Sequence, residues 1–137
     1  MPRIHLRVYV EPEQAEVLCN VLRSDGTYER LAAVVDTGAA VSLMPNDLLN
    51  KVAHRLGKRG SFIVEQAGIA NQSFQAVEGY VMLMLEDEYG QRTSPFEVLV
   101  WFADTKVALI GFADVLDRAI LHIDMLDQRL GWLQIDA

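Results

Sequence analysis

The sequence predicts a mainly β chain with one or two short helices. Three observations carry this. Apolar and polar residues alternate with period two near the N-terminus. A hairpin signal, Asp25-Gly26, sits between two apolar runs. Only one stretch has a helical period over more than two turns.

The elements follow in order. Ile4, Leu6, Val8 and Val10 alternate with His5, Arg7 and Tyr9, the pattern of a half-buried strand, and Glu11-Pro12-Glu13 interrupts it. Val17, Cys19 and Val21 begin a second strand ending near Arg23. Asp25-Gly26 turns the chain, because both residues tolerate positive φ, and Tyr28–Val35 returns. Pro45 suits a first helical turn, and Leu48, Leu49, Val52, Ala53 and Leu56 share one helical face. Gly57 stands at a helix C-terminus. Lys51, Arg55, Lys58 and Arg59 near that end read as a solvated face rather than an anion site. Residues 61–66 and 73–85 predict a long hairpin around Ala67-Gly68-Ile69-Ala70-Asn71. Further strands are expected at about 96–101, 108–110, 122–124 and 130–135, with one or two helical turns at 112–117.

Composition limits the function. The 137 residues are one domain's worth, 1–137, at about 100–200 residues per domain. With 51% hydrophobic residues the chain is not intrinsically disordered. One cysteine, Cys19, excludes an intrachain disulfide and a Cys-rich zinc site; it alternates with Val17 and Val21 as a small core residue. Twelve Lys and Arg against nineteen Asp and Glu give −7, which disfavours nucleic acid as a partner. The acidity lies in residues 69–137, and Glu86-Asp87-Glu88 reads as a solvated turn because it lacks cation-ligand spacing. The N-terminal residues have no apolar core of a signal peptide, and no run approaches the ~20 residues of a membrane span. The expectation is a soluble, cytoplasmic domain, complete as a small protein, without membrane contact. His5, His54 and His122 fall on separate elements and suggest no metal site. Trp101 and Trp132 read as packing residues.

The chemistry-bearing stretch is Val34-Val35-Asp36-Thr37-Gly38-Ala39, where an apolar strand runs into Asp-Thr-Gly. An Asp at such a strand end is costly to bury without hydrogen bonds, and Gly38 lets the backbone turn closely. Ser42-Leu43 follows, and Leu109-Ile110-Gly111 comes some seventy residues later. On these residues the chain resembles the retropepsin-like aspartic proteases, the retroviral-type single-domain family. Asp36-Thr37-Gly38-Ala39 matches the active-site signature, residues 61–80 the flap, and Leu109-Ile110-Gly111 the second signature.

The resemblance implies a closed or partly open barrel with a flap hairpin. It implies an aspartic endopeptidase that acts on polypeptides, uses no cofactor and works as a homodimer. Each copy would give one Asp36, with Thr37 cross-bonding to its partner copy beneath the pair and the Gly38 carbonyl holding substrate backbone. Ala39, Val41, Leu43, Val107, Leu109 and Ile110 would contact substrate, and a tip near Gly68-Ile69 would close over it. Five of these (Val41, Leu43, Val107, Leu109 and Ile110) serve equally as core packing. The sequence departs from the retroviral pattern at Ala40, Val41 and Phe112, where that pattern carries an acidic anchor and its arginine. The short-helix Asp is displaced by one residue, to Asp114. These departures leave a second reading open: an inactive dimerisation or peptide-binding module.

Overall fold

The computed structural model describes residues 1–65 and 73–136. Among them, ten strands form one mixed sheet: β1 Arg3–Val10, β2 Glu13–Leu22, β3 Tyr28–Val35, β4 Ser42–Pro45, β5 His54–Glu65, β6 Ser73–Glu86, β7 Phe96–Ala103, β8 Ala108–Ile110, β9 Ala119–Asp124 and β10 Leu130–Ile135. Their order is β5-β6-β7-β4-β8-β3-β2-β1-β10-β9. The β3–β8 and β4–β7 pairs are parallel and the others antiparallel.

The expected barrel is corrected. Among the described residues β5 pairs only with β6 and β9 only with β10, so the sheet they form keeps two edges, whereas a closed barrel has none. The sheet instead folds back on itself where β6 also pairs with β2, from Leu18–Glu86 to Val21–Leu83. This second pairing explains why β2 is buried continuously from Val17 to Val21 rather than alternately. At its centre the sheet is thin, for β4 and β8 share the single pair Leu43–Leu109.

The amphipathic helix after Pro45 is also corrected. Residues Asn46–Asn50 form one short 3-10 turn, and β5 begins at His54. Leu48 packs in the core from that turn. Val52 reaches it by a bridge to Arg23, and Leu56 is 64% exposed. Asn46, Asp47 and Asn50 are weak helix formers, and Gly57 and Gly60 favour no helix beyond them. Arg55 pairs with Glu97 and stacks on Tyr80, while Arg59 lies over Phe62. A second 3-10 turn spans Leu116–Arg118.

The acidic run is not a solvated turn. Asp87 is buried and accepts the His5 N–H at 2.9 Å, with the His5 ring at 3.0 Å. It also accepts the N–H groups of Tyr89 and Gln91, both at 2.9 Å. Burial alone would raise its pKa. The His5 backbone and ring, then Gln91 and Tyr89, outweigh that and hold the carboxyl below its usual range. Glu86 accepts from Asn20 and Arg30, and Glu88 from Arg7.

The core lies between the folded-over layers, around Ile4, Val17, Val21, Met44, Leu83, Leu85, Phe102, Ile110 and Leu133. Cys19 is fully buried within it, and burial pushes its thiol up to about 12. Among the described residues, no helix is long and apolar enough to cross a membrane.

Candidate active site

Asp36 leaves the end of β3, where its N–H continues the parallel ladder by donating to the Ile110 carbonyl at 2.9 Å. The chain then turns sharply. The Ala39 N–H donates to the Asp36 carbonyl at 3.2 Å, and the Gly38 N–H to Asp36 Oδ1 at 2.8 Å. A Cβ at residue 38 would lie 3.2 Å from that oxygen, so the turn favours glycine.

The two signature stretches meet. Phe112 and Ala113 donate their N–H groups to the carbonyls of Ala39 and Ala40, at 3.0 and 2.9 Å. The Gly111 N–H donates to the buried Ser42 Oγ at 3.0 Å. A Cβ on Gly111 would meet the Ala39 carbonyl oxygen at 2.7 Å. Nearby, Asp114 takes a positive φ of 63°, which Asp tolerates, and its Oδ2 accepts the Leu99 N–H at 2.9 Å. The Asp36 loop is thus clamped from below by backbone hydrogen bonds.

Above it lies a cavity of about 200 Å³, lined by Asp36, Gly38, Ala39, Ala40, Val41, Leu43, Val64, Phe74, Trp101 and Leu109. Asp36 is the one carboxylate among these lining residues, and its other walls are apolar. Larger depressions of about 520, 550 and 500 Å³ lie elsewhere, and Asp36 lines none of them.

Of the residues singled out from sequence, Asp36, Gly38, Ala39, Val41, Leu43 and Leu109 line this cavity. Thr37 is exposed beside it. Val107 is 52% exposed and lies outside the cavity, and Ile110 points into the core, fully buried. Gly68 and Ile69 lie outside the described residues.

Val64, Phe74 and Trp101 were missed by sequence reasoning. Val64 pairs with Phe74 across the β5–β6 hairpin, and Trp101 pairs with Leu43 across the parallel β7–β4 ladder. The hairpin was visible in the sequence and pointed to the first pair. Nothing local announced the β7–β4 pairing.

Among solved structures, the chain is similar to a retropepsin-like aspartic protease from Rickettsia conorii. The two are 15% identical, with a TM-score of 0.49, over 96% of this chain and 89% of that one. No family model matches the chain, and no curated protein does.

Proposed function

We propose that this chain, a single domain over 1–137, is an aspartic endopeptidase. It hydrolyses peptide bonds through a water activated between two Asp36 carboxylates, one from each copy of a homodimer. The observation that carries this reading is the placement of Asp36 as the one carboxylate among the described residues that line an otherwise apolar cavity, on a loop clamped to Ile110, Phe112 and Ala113 by backbone hydrogen bonds.

One carboxylate cannot supply both proton transfers. Two carboxylates about 3 Å apart do not both ionise, so one keeps a proton while the other takes one from water. The water attacks the peptide carbonyl. The protonated partner polarises that carbonyl; the C–N bond then breaks as one proton passes from the pair to the amine nitrogen, which leaves the pair sharing a single proton again. The dyad titrates as a unit. Val41, Leu43 and Leu109 receive substrate side chains, and the exposed Thr37 meets its partner copy beneath the two carboxylates.

The test is cleavage of a diverse peptide library across about pH 4 to 7, read by mass spectrometry, with Asp36→Asn alongside. Cleavage by the wild type alone is expected. Cleavage retained by the purified variant overturns the assignment. Peptide binding without cleavage by either favours the non-catalytic peptide-binding module.

A further inference from the structure

Glu78 of β6 is 7% exposed, and among the described residues no cationic side chain forms an ion pair with it. A buried carboxylate without such a partner is expensive unless its oxygens are used. Both are. Oε2 accepts the Trp101 indole N–H at 3.0 Å, and Oε1 accepts the Arg59 backbone N–H at 3.4 Å. Gly57 opposite makes room, for a Cβ there would sit 2.4 Å from Glu78 Cγ.

The register gives this contact its direction. Glu78 pairs with Trp101, Trp101 with Leu43, and Leu43 with Leu109, so the four stand in one row across β6, β7, β4 and β8. The last three line the Asp36 cavity. Trp101 is also held by Phe62, edge-on at 5.2 Å.

We propose that Glu78 is a positioning residue that locks the Trp101 indole as a fixed wall of the Asp36 cavity, and that this wall sets which apolar substrate side chain the cavity accepts. The inference rests on the part of the proposed function that makes this cavity a site for peptide side chains, whether or not the peptide is then cleaved. A rigid apolar wall discriminates by size, on the order of tenfold for a methylene group. A wall free to rotate loses that discrimination.

Trp101 and Trp132 are the two tryptophans of the chain, so a Trp132→Phe background isolates Trp101 emission. In that background, Glu78→Leu removes the acceptor, Gly57→Ala displaces it, and Glu78→Gln keeps one. Glu78→Leu and Gly57→Ala are expected to shift Trp101 emission and raise its quenching by acrylamide. Both should lose about tenfold of discrimination among peptides varied at one apolar position, through KM with kcat little changed. Glu78→Gln should restore both readouts.

The same peptides are titrated against Trp101 emission in the non-cleaving Asp36→Asn protein, so selectivity is also read as binding. Selective binding that Glu78→Leu weakens, in a protein that never cleaves, sinks the peptidase reading and keeps this one. Unchanged emission and selectivity in Glu78→Leu and Gly57→Ala overturn it, as does Glu78→Gln behaving like Glu78→Leu.

Discussion

Ser42 Oγ and the Gly111 N–H are joined by a buried hydrogen bond of 3.0 Å, between residues 69 apart in sequence. It closes the ladder beneath the Asp36 loop, where β4 begins and β8 ends. Ser42 is wholly buried, so no water can replace it. Ser42→Ala leaves a buried donor unsatisfied and should cost about 1–3 kcal/mol in urea unfolding. Gly111→Ala should cost more, because its Cβ would press on the Ala39 carbonyl oxygen at 2.7 Å and the Val41 carbonyl at 2.9 Å. An unchanged midpoint for Ser42→Ala would mean that the clamp does not depend on this bond.

If the dyad is shared between copies, activity per chain depends on protein concentration. Specific activity should rise with concentration until the dimer saturates. Thr37→Ala removes the hydroxyl beside Asp36 and should move the half-saturation point up about tenfold, or ~1.4 kcal/mol of association. Sedimentation of both proteins over the same range checks it. Specific activity independent of concentration down to nanomolar protein, with only monomer in the centrifuge, would exclude a shared dyad.

The fully buried Cys19 thiol is pushed up to about 12 by burial. The nucleophile is the thiolate, so the folded protein should resist an aromatic disulfide reagent at neutral pH, by at least about a thousandfold relative to the urea-unfolded chain. Rapid labelling under native conditions would mean that β2 opens far more readily than its packing between β1, β3 and β6 implies.

The parts of this molecule that were legible in sequence are those encoded locally. β1 and β6 show in their alternation, and Asp36, Gly38 and Gly111 in the turn chemistry of Asp and Gly beside apolar strands. The helix after Pro45 failed because Leu48, Leu49, Val52 and Leu56 match a 3.6 period for unrelated reasons. Two serve the core from a 3-10 turn and a bridge, and Leu56 faces solvent. The barrel failed because sequence shows strands and not which edges remain unpaired. Trp101 enters the site by parallel pairing with β4, and parallel partners leave no signature in the intervening chain. Glu86-Asp87-Glu88 looked solvated because its partners Arg7, His5, Asn20 and Arg30 lie more than fifty residues away.

Asp87 gives the chain an acid limit of its own. Its folded pKa is lowered, because hydrogen bonds from His5, Gln91 and Tyr89 outweigh the opposing effect of burial. Above the ordinary Asp value of about 3.9 the carboxylate is ionised in both folded and unfolded chains, and its contribution is complete. As pH falls below that value the unfolded chain takes up the proton first. The contribution declines and is gone once folded Asp87 is itself protonated. Asp87→Asn keeps an acceptor for Tyr89 and Gln91 but turns an NH₂ towards the His5 N–H, 2.9 Å from Oδ2. The variant should be less stable by about 2–4 kcal/mol near neutral pH. The gap between the two proteins, read by urea unfolding, should shrink as pH drops from about 5 to 2. A gap constant over that range would show that Asp87 titrates alike in both states. The same loss bears on the peptidase assay: cleavage lost below about pH 4 is read beside far-UV dichroism, so that unfolding is told apart from an effect at Asp36.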